Sequence, residues 1–153
     1  MRSLLFLSML VLTNVFCGAQ VAKPEDFSGL YSFVRPAETL QINVQPDHSV
    51  IGYVSVAANR ESEELPLTSA GWQTVMFDKA SIQGNHLEFK TKIVKGRWFE
   101  FHGQVERGKA KARDEEGYFV IRGTLTTVSV DVNGKPVQLA AEVEFQSFPD
   151  IGD

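Results

Sequence analysis

His86, Glu88, Glu100 and His102 come nearest, by type and spacing, to a set that could hold a metal or move a proton. Two imidazoles and two carboxylates, at every-second-residue spacing on neighbouring strands, offer the donor atoms zinc prefers. Zinc also needs those donors to converge and to be steadied by further hydrogen bonds. The strand register derived below instead sets all four on the outward face, where cross-strand ionic and polar pairs are ordinary. No metal and no cofactor are therefore expected. A nucleophile is equally hard to find: the one cysteine is Cys17, no Gly-x-Ser-x-Gly occurs, and His48 belongs to a turn. The chain reads as a non-enzyme. Without a phosphate loop or interleaved basic and aromatic residues, and with a net charge of −4, nucleic acid and anionic membrane are not expected partners.

The elements that place these residues are legible around the stretch 81–105. Ile82, Leu87, Phe89 and Thr91 keep a two-residue rhythm once Gly84-Asn85 is taken as a tight turn, which predicts a hairpin with Gln83 facing His86. Val94-Lys95-Gly96 reads as a three-residue loop into the next strand. Phe89 then faces Phe101 and Leu87 faces Gly103 on one side, while Lys90 meets Glu100 and Glu88 meets His102 on the other. One register satisfies both faces, and a one-residue slip would exchange them.

Elsewhere the same signals recur. A strand is expected at 28–34, ended by Arg35-Pro36, then one carrying Leu40, Ile42 and Val44, and one at 50–57. A long strand at 118–130 leads to Asn133-Gly134, read as a two-residue hairpin turn that pairs Val130 with Val137 and Val128 with Leu139. Carried on without a bulge, that register points Arg122 inward against Phe145; a bulge at Gly123 would send it out, and both readings stay open. The charged run 107–117 reads as a solvated hairpin tip, with a binding patch as the other reading. Residues 59–77 form the one long interruption. Trp72, Val75 and Met76 there have helical spacing, which suggests a short helix serving as a plug or a lid.

Arg2, the apolar run 4–16 and the small residues Cys17-Gly18-Ala19 predict a secretion signal at 1–19, cleaved after Ala19, with lipid attachment at Cys17 as the alternative. A tether at 20–27, one domain at 28–148 and a tail at 149–153 follow. The localisation expected is secreted or periplasmic, and a monomer is expected.

Eight strands in a meander, with Gly52, Gly103 and Gly123 inside strands, predict an all-β, eight-stranded antiparallel up-and-down barrel; a β-sandwich is the alternative. Gly29-Leu30-Tyr31 opens the first strand much as a Gly-x-Trp motif opens a lipocalin, so the chain resembles the lipocalin-like, calycin-type barrels over about residues 27–148. The resemblance implies a barrel that binds rather than catalyses. Two functions follow. One is an exported binding protein for a small, largely apolar ligand, with Trp72, Met76, Phe89, Phe99 and Phe101 as wall or cap and Tyr31 and Arg122 as polar anchors. The other is a barrel filled by its own phenylalanines that meets an exported protein partner through its loops.

Overall fold

The computed structural model describes residues 22–57 and 71–149; the expected secretion signal lies outside them. A 3₁₀ turn, Pro24–Phe27, precedes eight strands: β1 Gly29–Ser32, β2 Thr39–Val44, β3 Val50–Ala57, β4 Trp72–Gln83, β5 His86–Thr91, β6 Arg97–Arg107, β7 Phe119–Val130 and β8 Pro136–Gln146. Each pairs antiparallel with its neighbour in chain order. The sheet curls until β1 meets β8, through a Tyr31–Ser147 bridge and a hydrogen bond from the Phe148 N–H to the Leu30 carbonyl (2.8 Å). This is the up-and-down barrel the sequence predicts. We call lower the end that carries the β2–β3, β4–β5 and β6–β7 connections.

Alternation drives the burial. Leu40, Ile42 and Val44 of β2, and Val50, Val54 and Val56 of β3, point into the barrel. The β4–β5–β6 register is as expected: Gln83 faces His86, Phe89 faces Phe101, Lys90 faces Glu100 and Glu88 faces His102. Inside, phenylalanine rings run in unbroken contact from Phe77 to Phe89, Phe101, Phe145, Phe33 and Phe99, with centroids 4.7–5.6 Å apart. Such pairs add to the area they bury. The rings need room, and glycines supply it: the Phe77 ring lies over Gly52 and the Phe101 ring over Gly103.

Four expectations are corrected. Trp72 to Phe77 is not helical but opens β4, pairing Ala57 with Trp72 and Tyr53 with Met76; the β3 ladder takes up the backbone groups on one side of this stretch, which outweighs a helical spacing of three side chains. The rest of the expected insertion, up to residue 70, lies outside the described residues. The β5–β6 loop is a two-residue turn, with Val94 and Arg97 exchanging both backbone hydrogen bonds (2.9 and 3.0 Å) around Lys95 and Gly96, both at positive φ. Lys92 turns its N–H to the Met76 carbonyl (2.9 Å), which absorbs the extra residue.

The β7–β8 loop holds three residues, not two. Gly134 sits at φ 78°, its N–H bonds the Asp131 carbonyl (3.0 Å), and the Asp131 N–H bonds the Lys135 carbonyl (2.8 Å). Val130 therefore faces Pro136 and Val128 faces Gln138, one residue from the expected register. With no bulge at Gly123, Ile121 faces Phe145 inside and Arg122 faces Glu144 outside. Finally, the segment before β1 is no free tether: Phe27 is buried edge-on to Phe119 (5.2 Å) and closes the lower end.

Candidate functional site

Following the inner face upward from the closed floor shows where the barrel opens. The paired inward rows on β6, β7 and β8 are, in ascending order, Val105–Ile121–Phe145, Gly103–Gly123–Val143, Phe101–Leu125–Ala141, Phe99–Thr127–Leu139 and Arg97–Ser129–Val137. The lowest row is sealed from solvent. In the fourth, Phe99 is still buried at 2% exposure, yet Leu139, two strands away on the same face, is 71% exposed, and Val137 above it 52%. The cause is a mismatch of lengths: β8 has 11 residues and β1 only 4, so the wall beside upper β8 stops at Ser32.

The upper mouth is therefore apolar on the β8 side and polar between. Thr127 and Ser129 hydroxyls interrupt the row, and at the upper ends of β3, β4 and β6 Val56, Gln73, Val75, Val94, Arg97 and Phe99 ring a separate narrow hollow. Glu38, buried at the start of β2, accepts a hydrogen bond from the Ala57 N–H (3.4 Å) and ties the β2 and β3 rims together. Thr91 is fully buried and accepts the Phe99 N–H on its hydroxyl (3.0 Å), which fixes the strand that carries Phe99. Large apolar surface with a few placed hydrogen-bonding groups is the usual make-up of a small-molecule site.

Of the residues singled out from sequence, Phe89, Phe99 and Phe101 do face inward, where they are packed core, with Phe99 alone reaching the hollow. Trp72 and Met76 stand half-exposed on the outer face of β4, so they neither cap nor plug the mouth. Tyr31 is not at the upper rim: it is fully buried at the β1–β8 junction, beneath a hollow of about 430 Å³ that it lines with Arg113, Tyr118 and Phe148, its hydroxyl donates to the Phe27 carbonyl (2.8 Å), and burial pushes its ionisation above the usual tyrosine range. Arg122 lies outside between Glu144 (2.8 Å) and Glu106 (2.6 Å), and both carboxylates hold it charged, so it anchors nothing inside. The sequence reading missed Gln73, Thr127, Ser129, Val137 and Leu139. The every-second-residue apolar pattern of β8 was their one signal, but nothing in it shows that β1 stops short.

His86, Glu88, Glu100 and His102 are on the outer face, as expected. There His102 lies 3.4 Å from Glu88, while Glu100 accepts hydrogen bonds from Lys90 and Trp98 (2.8 Å each) that lower its pKa below the usual carboxylate range. Glu88, Lys90, Glu100 and His102, with Lys79 and Ser81, border an open groove of about 450 Å³, which His86 does not reach. Among the described residues, no three His, Cys, Asp or Glu side chains converge as they would around a metal ion. The 107–117 loop is exposed from Lys111 to Glu116, as expected of a solvated tip, and is tied to the lower end where Arg107 stacks 3.3 Å over the Tyr118 ring and Arg113 pairs with Asp26 (3.1 Å).

No protein-family profile matches the chain, and no curated protein matches it in sequence. Among solved structures, the bradavidin2–biotin complex is similar in fold, with a TM-score of 0.48 at 13% identity, over 78% of this chain and 93% of that one.

Proposed function

We propose that this chain is a binding barrel whose ligand, a small and largely apolar molecule with one or two hydrogen-bonding groups, seats in the upper mouth and not in the lumen. One observation carries the reading. The inner face passes, along a single row, from sealed Phe99 through the Thr127 hydroxyl to Leu139 at 71% exposure. An apolar side chain left open on the concave side of a barrel is a surface awaiting cover. The phenylalanine column beneath gives such a ligand a rigid floor, so little ordering opposes its binding. Binding without covalent chemistry, outside the cytoplasm, is part of the same proposal; the pattern at residues 1–19 supports export.

Native mass spectrometry of the protein purified from its own host tests the reading, followed by titration with a panel of apolar fluorescent probes. A bound small molecule, or a probe whose affinity falls on the order of a hundredfold in Leu139→Asp and is unchanged in Arg122→Ala, supports it. An empty chain that ignores every probe would favour the second reading, a barrel filled by its own phenylalanines that acts through protein contacts, which the unbroken ring column itself supports.

A further inference from the structure

The upper edge of β8, whose inner side chains also form the mouth, has backbone groups of its own to satisfy. The Gln146 N–H bonds the Ser32 hydroxyl (2.9 Å) and the Phe148 N–H bonds the Leu30 carbonyl, so even-numbered residues at the end of β8 turn their backbone groups toward β1. The Ser147 N–H bonds the Phe119 carbonyl, so odd-numbered ones turn toward β7. By the two-residue period of a strand, Gln138, Ala140, Glu142 and Glu144 present their N–H and C=O groups on the β1 side, above the point where β1 has ended. Among the described residues β8 pairs only with β7 and, at Ser147, with Tyr31.

A free edge of this length invites another strand unless charges or prolines blunt it. Here Pro136 blunts the upper tip, no lysine or arginine lies on β8, and the two carboxylates on this edge are turned to β7, Glu142 to the Thr124 hydroxyl and Glu144 to Arg122. We propose that this edge pairs with the same edge of a second copy of the chain, antiparallel across a two-fold axis at Ala140, so that the working protein is a dimer, not the monomer suggested by the sequence. The side chains select that register. Centred on Ala140, Val137 meets the other copy's Val143 and Leu139 meets its Ala141 on the inner side, while Glu142 meets Gln138 and Glu144 meets Pro136, with no carboxylate facing another. Centring on Glu142 would set the two copies' Glu142 side chains against each other, which is destabilising. The same surface on both copies is what a closed two-fold dimer requires. The pairing satisfies the edge and extends the apolar inner face of the mouth from one barrel to the next.

Sedimentation of the full chain over a wide concentration range, with cysteine cross-linking in a Cys17→Ser background, tests the proposal. The expected result is a reversible dimer that Ala140→Cys locks on oxidation, since facing residues on paired strands lie within disulfide reach. Ile51→Cys, on the exposed outer face of β3, should not lock it. Gln138→Glu, which places a carboxylate opposite each copy's Glu142 on an exposed face, should raise the dissociation constant on the order of tenfold and leave the circular dichroism unchanged. A monomer at all concentrations, or a dimer that Ala140→Cys does not lock and Gln138→Glu does not weaken, overturns it.

Discussion

Gly103 and Gly123 stand opposite one another on β6 and β7, so close that a Cβ on Gly123 would lie 2.5 Å from the Gly103 Cα and 2.2 Å from the His102 carbonyl oxygen. A Cβ on Gly103 would meet the Arg122 carbonyl oxygen at 2.3 Å and the Phe101 ring at 2.4 Å. Backbone cannot yield as a flexible side chain can, so the barrel wall bends at a point where only hydrogen fits. We predict that Gly103→Ala and Gly123→Ala each cost about 3 kcal/mol or more in urea unfolding, at the upper end of what overpacking costs. Gly71→Ala, whose added methyl meets nothing within 4 Å, should stay within about 0.5 kcal/mol.

Asp131 sets the β7–β8 register, because its carboxylate accepts the N–H groups of both Asn133 and Lys135 (2.8 Å each) and so favours the three-residue loop over the tighter turn. These bonds, Lys135 foremost, lower its pKa below the usual aspartate range. A depressed carboxylate pKa adds stability that is present above the unfolded-state pKa of about 3.9 and is lost as pH falls through the folded one. Asp131→Ala should therefore speed amide exchange at Asn133 and Lys135 at neutral pH, lower the Tm by a few degrees, and remove the acid dependence of that exchange. Unchanged exchange at both amides would show that Asn133-Gly134 holds the turn unaided.

What the sequence made legible, and what it did not, divides along locality. The register of β4, β5 and β6 follows from side chains within one hairpin of each other, where Gly84-Asn85 and paired Phe89 and Phe101 agree on a single answer. At Asn133-Gly134 the strongest local turn signal competes with an aspartate two residues upstream, and a one-residue change in loop length sends Arg122 to Glu144 instead of to Phe145. Trp72 and Met76 misled for the opposite reason: large apolar residues usually mark the inside, but β4 puts these two outside and Val75 and Phe77 in. The mouth was invisible because it arises from the difference between two strand lengths at the far ends of the chain.

Phe33 is the apolar β1–β2 turn residue that enters the core, where it stacks on Phe145 (5.1 Å, 25°) and meets Phe99 edge-on (5.5 Å, 86°). It thereby joins the short wall of the barrel to the tall one. Phe33→Ala should cost about 3–5 kcal/mol in urea unfolding, the range for removing a buried phenylalanine. Because the space it leaves adjoins the hollow at Phe99, the variant should also bind small aromatic molecules that the parent refuses. A loss below about 1 kcal/mol would mean that the β1–β2 turn swings in to fill the gap, and that the floor of the mouth is soft.

Tyr31 couples the lower end of the barrel to alkaline pH. Its phenol is buried at the β1–β8 junction and donates to the Phe27 carbonyl, so the folded chain keeps it protonated above the range where an exposed tyrosine ionises. The folded-state pKa is raised, so the stability it contributes is fully present below the unfolded pKa of about 10 and declines as pH rises beyond it. In an ultraviolet titration of the native protein, one of the three tyrosines should resist ionisation until the barrel unfolds. Tyr31→Phe keeps the ring and loses the hydrogen bond, leaving the Phe27 carbonyl short of a partner, which costs about 1 kcal/mol at neutral pH. The same variant should unfold with a shallower alkaline slope than the parent. Its curve should therefore approach the parent's above pH 10, a convergence that a purely structural loss of packing would not produce. Parallel curves at all pH values would mean that the phenol ionises as readily folded as unfolded, and that the lower end opens far more often than its packed Phe27 and Phe119 imply.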